Sequence, residues 1–151
     1  MARALEAPDR PRLTEIADSL SDISKISNID VWIQGGAVRL RLYSDGMFRA
    51  SRAELSRGAR DTLGALSKRL RMIAPGHIHI EGHVADVPTN TPQYPNNWYL
   101  SSARAIAVGM YLIDEAGFTA KEISAQGCGP SAPIADNEDN KNNRIEIIVT
   151  P

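Results

Sequence analysis

The chain has 151 residues, a length that fits one domain and lets it bury roughly two thirds of its unfolded surface without help from a metal or a disulfide. Its 23% charged and 42% hydrophobic residues are ordinary for a soluble globular protein, and a net charge of -1 argues against nucleic acid as a partner. The single cysteine, Cys128, cannot close an internal disulfide, so it does not exclude an oxidising compartment.

No apolar run reaches the roughly 20 residues that span a bilayer. The opening residues, MARALEAPDRPR, hold no apolar signal-peptide core. The chain as it stands is therefore expected to be soluble, with any export or anchor segment absent from it. Residues 1–12 are polar, carry Pro8 and Pro11, and read as a linker. The next segment, LTEIADSLSDISKIS, places Leu13, Ile16, Leu20 and Ile23 on one stripe of a short helix. That stripe either packs on its own domain or forms a dimer seam; two heptads are too few to decide.

Residues 29–34 and 37–43 read as strands. In the second, Val38, Leu40 and Leu42 alternate with Arg39, Arg41 and Tyr43, the period of a half-buried strand. Gly35-Gly36 between them predicts a hairpin. Ser51 and Glu54 have the spacing of a capping box. The helix expected after it sets Leu55, Ala59, Leu63, Leu66, Leu70 and Ile73 on one face. Arg57, Arg60, Lys68 and Arg69 fall mostly on the other face, as on a solvated helix. Pro75-Gly76 ends it. Residues 77–82 form the next strand, followed by a loop with Pro88, Pro92 and Pro95.

A second long helix is predicted over 97–116. It is apolar nearly all round, so most of it is expected to be buried. Gly117 stops it. A strand over 121–126, a polar loop with the acidic stretch 136–139, and a final strand over 144–150 complete the chain. Helices alternating with strands, all amphipathic toward one side, imply an α+β domain with helices on one face of a mixed sheet.

The chain has no G-x-S-x-G elbow, P-loop or G-x-G-x-x-G, and no histidine is placed by pattern to activate Cys128. His77, His79 and Glu81 point to one face of a strand and are conceivable zinc ligands, but no second cluster completes the set, and solvent-facing histidines explain them as well. The second helix carries a sharper signal. Asn97, Ser101, Arg104 and Val108, at spacings of four, three and four, share one face. An arginine on a buried helix needs a partner, either an internal carboxylate or an acidic ligand gripped by the guanidinium fork.

Asn97-Trp98-Tyr99-Leu100-Ser101-Ser102-Ala103-Arg104-Ala105 resembles the N-x-x-L-S-x-x-R-A signature of OmpA-like peptidoglycan-binding domains, and most of all its form in flagellar stator proteins of the MotB type. Glu81-Gly82-His83 with Asp86-Val87-Pro88 resembles the family's E-G-H-T-D-D-V-P. Gly127-Cys128-Gly129 with Pro133-Ile134-Ala135-Asp136-Asn137 is similar to G-Y-G-E-x-x-P-I-A-x-N, and Lys141-Asn142-Asn143-Arg144-Ile145-Glu146 to K-N-R-R-V-E. The resemblance runs from about Ile29 to the end.

It implies an OmpA-like two-layer sandwich with two long helices on a mixed sheet of about four strands, occupying 29–151. Residues 1–28 would be a linker and an extra N-terminal helix that could contact a second copy. The implied function is non-catalytic: a grip on the diaminopimelate of the peptidoglycan stem, with no cofactor and no metal. Arg104 would take the carboxylate, with Asn97 and Leu100 beside it and Arg144 at the second arginine of the family's pair. The family's aspartate position is occupied by Ala85 and its threonine position by Val84, so the ammonium would fall to Asp86, one residue later, or the site has lost half its grip. The resemblance further implies a homodimer, in the periplasm, with the full-length protein anchored in the inner membrane through an upstream segment. Other envelope systems, such as outer-membrane lipoproteins and secretion-system anchors, share the domain.

Overall fold

The computed structural model describes residues 9–26, 28–86, 90–134 and 139–151. Residues 1–8 of the linker expected at 1–12, Val87-Pro88 and residues 135–138 of the acidic loop lie outside them; residues 9–12 of that linker are instead the first turn of a helix.

The elements in chain order are α1 (Asp9–Ile26), β1 (Ile29–Gln34), β2 (Ala37–Tyr43), α2 (Arg57–Ile73), β3 (His77–His83), α3 (Asn97–Asp114), β4 (Ile123–Gly127), α4 (Asp139–Asn142) and β5 (Arg144–Thr150). The strands form one mixed sheet in the order β1-β2-β5-β3-β4. β1 and β2 are the hairpin, turned by Gly35 and Gly36 at positive φ. β5 lies between β2 and β3 and is antiparallel to both, while β3 and β4 are parallel. Parallel neighbours need a crossover, and α3 supplies it between β3 and β4. The fold is the expected α+β sandwich, with a five-stranded sheet.

The period-2 alternation sends Val38, Leu40, Leu42, Ile78, Ile80, Ile145, Ile147 and Val149 to the helix side, all at most 3% exposed. They share one core with Leu63, Leu66 and Leu70 of α2 and Val108 and Leu112 of α3. Leu13, Ile16, Leu20 and Ile23 of α1 belong to the same core. The stripe considered as a dimer seam is thus buried within the chain against β1 and α2, and it offers no surface to a second copy. Arg69 of α2 pairs with Asp22 of α1 at 3.5 Å across that packing.

Three local expectations are corrected. The capping box at Ser51 does not form. α2 starts at Arg57, and its cap is Ser56, whose Oγ accepts from the Ala59 amide at 3.0 Å. Ser51 instead sits at φ 57°, in a turn closed by the Arg52 amide donating to the Arg49 carbonyl at 3.0 Å. Leu55 accordingly precedes the helix. α3 is likewise capped by Asn96, whose Oδ1 accepts from the Trp98 and Tyr99 amides, and it ends at Asp114 rather than at residue 116.

The third correction concerns burial. α3 hides Leu100, Ser101, Arg104, Ala105, Val108, Gly109 and Leu112 but exposes Trp98, Tyr99, Ile106 and Met110, because a two-layer domain covers only one side of a helix.

Two glycines set how closely α3 approaches the sheet. Gly82 of β3 and Gly127 of β4 are register partners on the helix side. A Cβ on Gly82 would stand 2.1 Å from the Ser101 carbonyl oxygen, and one on Gly127 would stand 2.5 Å from the Ser102 amide nitrogen. The first turns of α3 therefore rest directly on strand backbone. Three residues after Ser101 comes Arg104.

Candidate ligand site around Arg104

Arg104 is 6% exposed, yet no carboxylate pairs with it among the described residues. Its Nε donates to the Arg52 carbonyl at 2.8 Å, and its Nη2 donates to the Arg49 carbonyl at 3.2 Å. The Phe48 ring lies under the guanidinium, 4.9 Å from its carbon. These contacts explain the failed capping box. The 49–52 turn presents its carbonyls to Arg104 instead of continuing into a helix, so a tertiary contact overrides a local signal. Burial pulls the Arg104 pKa down to about 10, with Tyr94 opposing. The group remains a cation at neutral pH, held by neutral partners.

Arg104 lines an open cavity of about 360 Å³ with Ser44, Asp45, Phe48, Ala50 and Asn143. Ser44 is 4% exposed, and its Oγ is buried without a hydrogen-bond partner. The Asn143 Oδ1 accepts from the Ala85 amide at 2.9 Å, and the Asn97 Nδ2 donates to the Ala85 carbonyl at 3.4 Å. The cavity floor is thus joined through Ala85 to the start of α3. A buried cation that pairs with no carboxylate among the described residues, beside a buried hydroxyl without a hydrogen-bond partner, makes a site suited to an acidic ligand group.

The sequence-derived residues distribute unevenly around this cavity. Arg104 is in it, and Asn97 is tied to its edge. Leu100 is 3% exposed and acts as packing at the base of α3. Asp86 is exposed and makes no ion pair with Arg104. Arg144 is placed elsewhere. It begins β5 on the face of the sheet turned away from the helices, and it is 3% exposed. Its Nε donates to Glu146 at 2.6 Å, its Nη1 to the Asn142 carbonyl at 3.2 Å and its Nη2 to the Ala132 carbonyl at 2.8 Å. Each nitrogen of its guanidinium makes an internal hydrogen bond, away from the cavity around Arg104.

Ser44, Asp45 and Asn143 were missed from the sequence. Asn143 immediately precedes β5, and extending the alternation of that strand by one residue sets it opposite Arg144. Ser44 and Asp45 follow β2 in a turn with no motif of their own.

The histidine strand also resolves. His77 Nε2 and His79 Nδ1 both meet the Ser124 hydroxyl, at 2.8 and 2.6 Å, which satisfies them without a metal. The Cys128 thiol is pushed up by burial and by the nearby Glu81 carboxylate, so it stays protonated at neutral pH and is a poor nucleophile.

Two helical crossovers on one mixed sheet, with an open cavity lined by Arg104 beside α3, define a two-layer α+β domain. The chain belongs to the OmpA family, whose sequence profile matches residues 47–146. It is 33% identical to motility protein B of Bacillus subtilis over 90 residues, covering 57% of this chain but only 34% of that protein. Among solved structures, a MotB-like protein from Desulfovibrio vulgaris superposes with a TM-score of 0.82 at 23% identity, covering 95% of this chain and 94% of that one. The cell wall anchor of the T6SS from Pseudomonas aeruginosa superposes with a TM-score of 0.80 at 28% identity, covering 89% and 96%.

Proposed function

We propose that this domain is a non-catalytic peptidoglycan anchor, and that the cavity beside Arg104 holds the free amino-acid end of diaminopimelate in the peptide stem. The observation that carries this reading is a buried guanidinium supplied with carbonyls and an aromatic ring but paired with no carboxylate among the described residues. A carboxylate entering the cavity completes its set of partners with a charge-assisted hydrogen bond. Asp45 lines the same cavity and is the acid the geometry offers for the ligand ammonium. It does what the family's aspartate does from the position that Ala85 occupies here. Asp86, exposed after β3 and outside the cavity lining, is the alternative acid.

The T6SS protein's description as a cell wall anchor supports the role, and the similarity to motility protein B supports a periplasmic place in a stator-type assembly. No helix among the described residues is long and apolar enough to cross a membrane.

Cosedimentation with purified insoluble peptidoglycan tests the reading. The wild-type chain should pellet. Arg104→Ala should weaken binding by about ten- to a hundredfold, the equivalent of one charge-assisted bond of roughly 1.5–3 kcal/mol. A carboxylate binds the charged guanidinium, so retention should persist at neutral pH and fade as the pH rises through about 10. Unchanged retention of the folded Arg104→Ala protein would remove the cavity as the site. In the same assay Asp45→Asn should lose about tenfold and Asp86→Asn less than about twofold. The reverse ranking would return the ammonium to Asp86.

A further inference from the structure

We propose that Glu81, His83 and Cys128 bind one transition-metal ion of the zinc class, on the face of the sheet turned away from the helices. A ring nitrogen of His83, the Cys128 Sγ and a Glu81 carboxylate oxygen lie within 4.8 Å of one another. The backbone brings them together. Glu81 and His83 are two apart on β3 and share a face. Cys128 follows Gly127, the register partner of Gly82, and its amide donates to the Gly82 carbonyl at 2.9 Å.

The independent sign of a ligand is the imidazole. His83 is only 5% exposed, and its Nδ1 is buried with no hydrogen-bond partner, while its Nε2 faces the Glu81 carboxylate at 3.2 Å. The ring is thus held in place by burial, with one nitrogen at the Glu81 carboxylate and the other committed to no protein group, so it can coordinate an ion in its neutral form. The three donors are an imidazole, a thiol and a carboxylate, the kinds zinc takes; bonds of about 2.0–2.3 Å in a tetrahedron put donors roughly 3.5 Å apart. The cluster needs to close by about an ångström, within reach of rotation at the half-buried Cys128. The fourth position falls to water or an external ligand.

The arginines nearby, Arg39, Arg41 and Arg144, are all paired with Glu146, and the thiolate formed on binding adds the negative charge a cation needs. Arg39 also stands 4.0 Å from Glu81. Binding would turn the neutral thiol into a metal-bound thiolate, releasing one proton to solvent and forming one metal–sulfur bond. This site differs from the set His77, His79 and Glu81, since Ser124 occupies both of those histidines. It is also independent of the Arg104 cavity.

The test is titration of the untagged, reduced chain with cobalt(II) as a spectroscopic stand-in for zinc. A thiolate-to-cobalt charge-transfer band should appear in the near ultraviolet, saturate at one equivalent, and vanish on adding zinc. Cys128→Ser should abolish the band, and Glu81→Gln should weaken cobalt binding by about tenfold or more. The double variant His77→Ala with His79→Ala should leave the band intact. No band in the folded wild-type chain with excess cobalt, a band that survives Cys128→Ser, or one lost in the double histidine variant would each overturn the proposal.

Discussion

Arg144→Ala should destabilise the fold by about 3 kcal/mol while leaving peptidoglycan retention per folded molecule unchanged. The side chain is 3% exposed, and its three donor positions serve Glu146, Asn142 and Ala132. Truncation removes one donor each from the Asn142 and Ala132 carbonyls and takes the closest cation from a carboxylate that is itself 4% exposed. Removing one partner of a buried ion pair typically costs about 3–5 kcal/mol. The low end applies because Arg39 and Arg41 still face Glu146, at 3.4 and 3.6 Å. Urea unfolding gives the stability and cosedimentation the retention. A loss of binding at unaltered stability would mean that Arg144 touches ligand, as its family position suggested.

Gly82→Ala should be the more damaging of the two, lowering stability by about 3 kcal/mol or more. The new methyl would stand 2.1 Å from the Ser101 carbonyl oxygen and 3.0 Å from its carbon. Both are backbone atoms of α3, so no rotamer change relieves the clash, and the helix has to lift from the sheet. Lifting it draws Arg104 from the Arg49 and Arg52 carbonyls, so retention on peptidoglycan should fall with stability. Gly58→Ala is the matched control. Its Cβ meets only the Ser56 Oγ, at 3.9 Å, within the first turn of α2. It should leave stability unchanged or raise it by up to about 1 kcal/mol. Equal effects of the two substitutions in thermal unfolding would refute the close-approach account.

The contrast between these glycines shows what could be read from the chain alone. The alternation in β2 and β5 fixes which side chains meet the helices, because strand geometry is local. The spacing of Asn97, Ser101 and Arg104 fixes a helical face for the same reason. Nothing local marks Gly82 and Gly127 as partners, since that depends on the register of two strands separated by a whole crossover. The Ser51 capping signal misled because the carbonyls of the 49–52 turn belong to Arg104, more than fifty residues away. Arg104 itself was legible, both as a charge on a buried face and through the family motif. Its surroundings were not, because Ser44, Asp45 and Asn143 come from segments that meet only in the fold.

The central claim is that the buried guanidinium of Arg104 receives a carboxylate of the peptidoglycan stem. The most direct measurement is an NMR titration of the isotope-labelled chain with a soluble muropeptide containing diaminopimelate. The Arg104 Nε–H resonance and the amides of Ser44, Asp45 and Asn143 should shift together and saturate. Shifts confined to another surface, or none at saturating muropeptide, would contradict it.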